Sequence, residues 1–136
     1  MTLRRDFTLP PADVEFLDAF GRPWETVTHG NGWVLIHDVP APRPGYAIES
    51  YTMAIRIEPG YPMACLDMVY VYPALVRADG QPINATQVTQ DIEGRSYQRW
   101  SRHYTAENPW IPGTDGLERH VLSAEQWFAR EVATCT

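Results

Sequence analysis

Apolar residues recur along this chain with two different periods, and each switch between them marks an element. Val14, Leu17 and Phe20 share the spacing of one helical face. Pro10-Pro11 suits the first helical position, Asp13 and Glu15 complement the positive end of the helix dipole, and Gly21 stops the helix. Threonine and valine then favour a strand over residues 24–28. His29-Gly30-Asn31-Gly32 makes the turn, and a second strand returns over 33–38. The proline-rich run over 39–45 is too poor in backbone donors for a central strand. Over 48–57 the pattern alternates: Tyr51, Met53, Ile55 and Ile57 point one way, Thr52, Ala54 and Arg56 the other. Glu58-Pro59-Gly60-Tyr61-Pro62 breaks this run, and Met68-Val69-Tyr70-Val71 reads as a fourth strand.

Regularity then fades. Ala78-Asp79-Gly80 is a turn signal, and residues 81–99 are polar, with Ile83, Val88, Ile92 and Tyr97 as their few anchors, which predicts an irregular segment. The last element is a helix over 115–132, opened by a capping box of Asp115 and Glu118. Leu117, Val121, Ala124, Phe128 and Val132 line one stripe of it. A helix, four strands joined by short loops and a closing helix predict an α+β fold: an antiparallel meander with helices packed on one face. At 136 residues the expectation is one domain, spanning 1–136.

Composition narrows the function classes. A net charge of −6 argues against nucleic acid or an anionic membrane as the main partner. No segment has the roughly 18 consecutive apolar residues of a membrane span. The basic start, Met1 to Asp6, is followed by no apolar stretch of a secretion signal. Two cysteines, Cys65 and Cys135, without CxxC spacing fit a reducing cytoplasm rather than a disulfide framework. His29, His37, His103 and His120 form no metal-binding motif, so no metal is expected. No phosphate-binding glycine loop is present, and no cofactor is expected.

The densest chemistry lies in Trp100-Ser101-Arg102-His103, followed by Trp110-Ile111-Pro112 and the final helix. A serine hydroxyl is a weak nucleophile at neutral pH and needs a base. Imidazole ordinarily titrates near pH ~6.5, which suits proton transfer. In an extended segment residues two apart face the same side, so His103 can approach Ser101; in a helix it cannot. Arg102 is placed to hold a carboxyl-bearing tail or to meet developing negative charge. Cys65 is the rival nucleophile, but a cysteine entering a strand is expected to be a small buried residue. Cys135 sits next to the C-terminus, where a frayed tail holds no catalytic geometry. Trp110 and Pro112 are expected to pack the loop, Asp115 to cap the helix and His120 to be solvated or packed. A small serine hydrolase using Ser101 with His103 or His120 stays open, though no Gly-x-Ser-x-Gly elbow is present.

The order of elements resembles the ubiquitin-conjugating (UBC) fold. Pro59-Gly60-Tyr61-Pro62 is similar to the Tyr-Pro turn of UBC and RWD domains, and Met63-Ala64-Cys65-Leu66-Asp67 stands where a proline pair is usual. Ser101, with Trp110-x-Pro112 and a helix after it, occupies the place of the catalytic cysteine. The Trp-Ser-Arg-His run with Trp-x-Pro-Gly-x-Asp resembles the bacterial branch called family E. The resemblance implies an acyltransferase that takes the C-terminus of a ubiquitin-like modifier from an ATP-consuming activating enzyme. It would hold the modifier as an oxyester on Ser101 and pass it to an amine of a target protein. Ser101 and His103 would be catalytic, and Arg102, Trp100, Trp110, Pro112 and Asp115 would bind the modifier or support the site. Some pathways of this type use serine esters and serve antiphage defence. The alternative is an inert UBC/RWD-like module that binds the modifier or the activating enzyme. The chain departs from the wider family in having no His-Pro-Asn before the nucleophile. It also contains no lysine, and all eleven basic residues are arginine. A GC-rich genome accounts for that, and so does protection of an acyl-transfer protein from its own cargo.

Overall fold

The computed structural model describes residues 2–133, so Cys135 lies outside the described residues. The elements are α1 (Pro11–Phe20), β1 (Trp24–His29), β2 (Asn31–Pro40), β3 (Ser50–Ile57), β4 (Val69–Tyr72), β5 (Thr89–Ile92), β6 (Arg95–Trp100) and α2 (Leu117–Ala133). Gly21 ends α1 in the left-handed region (φ 82°), where a residue without Cβ is unstrained. The strands form one antiparallel sheet in the order β1-β2-β3-β4-β6-β5. The first four make the meander that the alternating pattern predicts. Among the described residues no helix is long and apolar enough to cross a membrane.

The polar stretch 81–99 is more regular than its composition predicts. Its second half is a hairpin, β5–β6, closed by Glu93-Gly94 with φ of 53° and 83°. Two consecutive positive φ values are what a tight two-residue hairpin turn requires. The sheet therefore has six strands rather than four, and β6 docks on β4, placing Trp100 opposite Val69.

Alternation along each strand divides the buried residues between two faces. Val34, Ile36, Met53, Ile55, Val69, Val71 and Trp100 point toward the helices, where they meet Leu17, Leu117, Val121, Ala124 and Phe128. Val27, Trp33, Leu35, Ala54, Tyr70, Ile92 and Tyr97 form a second cluster on the other face. The sheet curls around that second cluster until its margins approach each other. Arg4 bridges Glu25 of β1 and Glu93 of the β5–β6 turn, and His29 stands 3.3 Å from Asp91. Burial pushes the Glu25 carboxyl up, but hydrogen bonds from Arg4 and His37 outweigh it and bring the group down to about 2.

The start of α2 departs from the capping box that the sequence predicts. The helix opens at Leu117, and Asp13 of α1 accepts the Leu117 N–H at 3.2 Å. Tyr61 donates its hydroxyl to the other oxygen of the same carboxylate. Asp115 instead accepts the Ile111 N–H at 2.7 Å and pairs with Arg119. Gly116 leaves the room this junction needs, since a Cβ there would lie 2.9 Å from Asp13 Oδ1. The first helix thus caps the last one, which fixes the segment between β6 and α2 at its far end.

Candidate active site

The β4–β6 ladder continues beyond the last paired strand residues. Met68, with φ 56°, donates its N–H to the Arg102 carbonyl at 3.0 Å, carrying the pairing past Val69 and Trp100. This brings the foot of β4, where Asp67 lies, alongside the residues that leave β6. Trp100 anchors the departure point. It is fully buried, meets Phe128 edge-on at 4.7 Å and donates Nε1–H to Gln98 at 2.9 Å. Beyond it the side chains alternate. Arg102 returns to the Trp100 side, with its guanidinium 4.8 Å from the indole centroid, while Ser101 and His103 emerge together.

Ser101 Oγ lies 3.2 Å from His103 Nε2, and His103 Nδ1 lies 2.7 Å from Asp67 Oδ1. An ionised carboxylate only accepts hydrogen bonds, so the short contact assigns the ring proton to Nδ1. Nε2 is then left with its lone pair facing the serine hydroxyl. The three side chains form a hydrogen-bonded series in the order that a nucleophile, its base and an orienting carboxylate require, a constellation recognised by geometry and not by position in the chain. Ser101 is half-buried, and the His103 and Asp67 side chains are 56% and 34% exposed, so solvent reaches the base.

The other predicted site residues surround this series without joining it. Arg102 donates to the carbonyls of Asn84 (3.1 Å) and Ser101 (3.2 Å), which commits its guanidinium to the backbone and to Trp100. The Ser101 N–H is occupied by the Ala85 carbonyl at 3.1 Å. Trp110 is half-buried between Tyr104 (5.4 Å) and Tyr61 (6.5 Å). Its indole N–H is buried with no hydrogen-bond partner among the described residues. Pro112 is exposed, and Asp115 with Arg119 and Asn108 ties the 108–119 segment to itself.

The expectation for one rival group changes, and that for another narrows to one of its two alternatives. Cys65 is exposed, not buried, because β4 begins only at Val69 and the preceding residues form a surface loop in which Leu66 supplies the buried anchor. His120 is fully buried. Its Nε2–H donates to the Met68 carbonyl at 2.8 Å, which leaves Nδ1 to accept the Tyr104 hydroxyl at 2.8 Å. Burial pulls this imidazole down to about 4, against the opposing effect of the Met68 carbonyl.

Asp67 is the residue that sequence reasoning missed as a site group. It is separated from His103 by 36 positions, and only the docking of β6 on β4 brings them together. The one signal available beforehand was a carboxylate at the foot of a predicted strand. Among known families, the model of prokaryotic E2 family E matches residues 9–131. No curated protein and no solved structure matches the chain.

Proposed function

Because the chain belongs to prokaryotic E2 family E, we propose that it conjugates a ubiquitin-like modifier through an oxyester on Ser101. Membership supports the general role, that of a ubiquitin-like conjugating transferase. The choice of Ser101 rests on one observation: its hydroxyl is hydrogen-bonded to a histidine whose other nitrogen is held by Asp67.

The steps follow from that geometry. As Ser101 Oγ attacks the activated carboxyl carried by the activating enzyme, its proton passes to His103 Nε2. His103 then returns the proton to the departing group, leaving the modifier esterified to Ser101. A target amine attacks the same carbonyl, gives a proton to His103, and the ester bond breaks as Ser101 Oγ recovers it. Asp67 keeps the imidazole in the required tautomer and favours the imidazolium formed at each step. ATP is consumed by the activating enzyme, in a reducing cytoplasm. Trp100 and Arg102 fix the strand end that presents the nucleophile. Trp110, Pro112 and Asp115 shape the segment over which the modifier's tail would lie. Residues 1–136 act in this reading as one UBC-like domain.

The test combines the chain with its activating enzyme, modifier and ATP. A hydroxide-sensitive, thiol-resistant adduct that is lost in Ser101→Ala supports the assignment. A thiol-labile adduct kept in Ser101→Ala but lost in Cys65→Ala overturns it. No adduct with any variant, together with no ester turnover, leaves an inert binding module.

A further inference from the structure

We infer that Ser101, His103 and Asp67 also hydrolyse acyl esters, so that a group captured on Ser101 is released to water when no target amine arrives. The inference rests on the capture step proposed above but needs neither the modifier nor the activating enzyme. Three observations carry it.

The first is the alignment already described, with a lone pair on His103 Nε2 aimed at the serine oxygen and Nδ1 held by Asp67. Once Ser101 is acylated, its proton is gone and Nε2 is free to accept a hydrogen bond from another O–H or N–H. A base in that position polarises water as readily as an amine. The second is exposure. With the His103 side chain 56% exposed and Asp67 34% exposed, water has direct access to the base. Sites that suppress hydrolysis do so by excluding water. The third is the composition of the chain. It contains no lysine, so no side-chain amine of its own competes for the ester.

The cycle balances. In the first half, the Ser101 O–C bond forms, the donor's acyl–oxygen or acyl–sulfur bond breaks, and the serine proton reaches the leaving group through His103. In the second half, a water oxygen attacks the carbonyl and its proton goes to His103. The Ser101 ester bond breaks, and His103 returns the proton to Ser101 Oγ. One ester and one water become one carboxylic acid and one alcohol or thiol. No redox partner or metal enters.

The substrate class is an activated ester or thioester, for which p-nitrophenyl acetate is a practical probe. The intact chain should release a burst of p-nitrophenol close to one per protein, followed by steady turnover. Ser101→Ala should abolish the burst. His103→Gln should lower steady turnover about 100-fold. Asp67→Asn should lower kcat at least about tenfold with KM within about twofold, and Asp67→Glu should recover part of that loss, as a positioning residue requires. Cys65→Ala should behave as the parent chain. Unchanged far-UV spectra show that the variants remain folded. A burst that survives Ser101→Ala, or turnover equal to the parent in His103→Gln, overturns the inference. If the modifier adduct forms but no ester is turned over, hydrolysis alone is removed. If esters are hydrolysed and no adduct forms, the conjugation reading fails and this one stands.

Discussion

His103 and His120 are bonded through both ring nitrogens, and each takes one partner from the adjacent residues Asp67 and Met68. Asp67 holds the first by its side chain, and Met68 holds the second by its carbonyl. The environments differ in two respects. His103 faces water between a carboxylate and a hydroxyl, so it can take up a proton and still have a counter-charge beside it. His120 is buried between a carbonyl and a phenol, so a proton there would be an uncompensated charge. The same side chain is suited to chemistry in one place and to architecture in the other. Spacing from Ser101 singles out His103 in the sequence, and the partners of each ring separate the two in the fold.

The largest effects should come from breaking the buried side. His120→Ala takes the donor from the Met68 carbonyl and the acceptor from the Tyr104 hydroxyl and opens a cavity, and should lower unfolding free energy by about 3 kcal/mol in urea titrations. Acid probes the same group without mutation. The folded His120 titrates near 4 and the unfolded one near 6.5. As pH falls through 6.5 the unfolded chain therefore binds the proton first. The stability this neutral imidazole confers is full above 6.5 and falls until about pH 4, by roughly 3 kcal/mol in total. His120→Gln, which keeps a donor for Met68, should flatten that slope in urea midpoints measured from pH 7 to pH 4. The Glu25 carboxyl, lowered from 4.5 to about 2, adds a further loss only below 4.5.

Intermediate effects sharpen the contrast. Asp13→Ala removes the cap of α2 and the acceptor of Tyr61, and should lower unfolding free energy by about 2 kcal/mol. Asp115→Ala, at the position expected to be the cap, should have less than half that effect in the same assay. Tyr104→Phe deletes one hydrogen bond to His120 and should lose about 1 kcal/mol. The smallest effect belongs to the exposed histidine. His103→Ala should move unfolding free energy by less than about 0.5 kcal/mol while removing ester turnover. A large loss of stability in that variant would erase the distinction between the two histidines.

Local patterns made much of the fold legible. The helix stripes at Leu17 and at Leu117, Val121, Ala124 and Phe128 each bury one face and announce it by period, and the alternation in β3 sorts Met53 and Ile55 from Ala54. The β5–β6 hairpin lacked such a mark. It lies at the sheet margin, its turn is Glu-Gly rather than Asn-Gly, and only Ile92, Tyr97 and Trp100 are buried in it. Ser101 and His103 were legible as a pair because they are two residues apart. Asp67 was not, being 36 residues from His103, and neither was the capping role of Asp13, 104 residues from Leu117. Contacts of that span are set by strand order, which no local period encodes.

The chemistry at the end of β6 depends on odd and even places. Trp100 and Arg102 occupy one side, Ser101 and His103 the other, and Trp100 is pinned by Phe128. The long loop ahead of β5 lends the Asn84 and Ala85 carbonyls to Arg102 and Ser101 but does not set this sorting. A single insertion directly after Trp100 would invert it, turning the hydroxyl to the Trp100 side and putting the guanidinium where the imidazole now stands. That tripeptide spacing tolerates substitution in kind but no change in count.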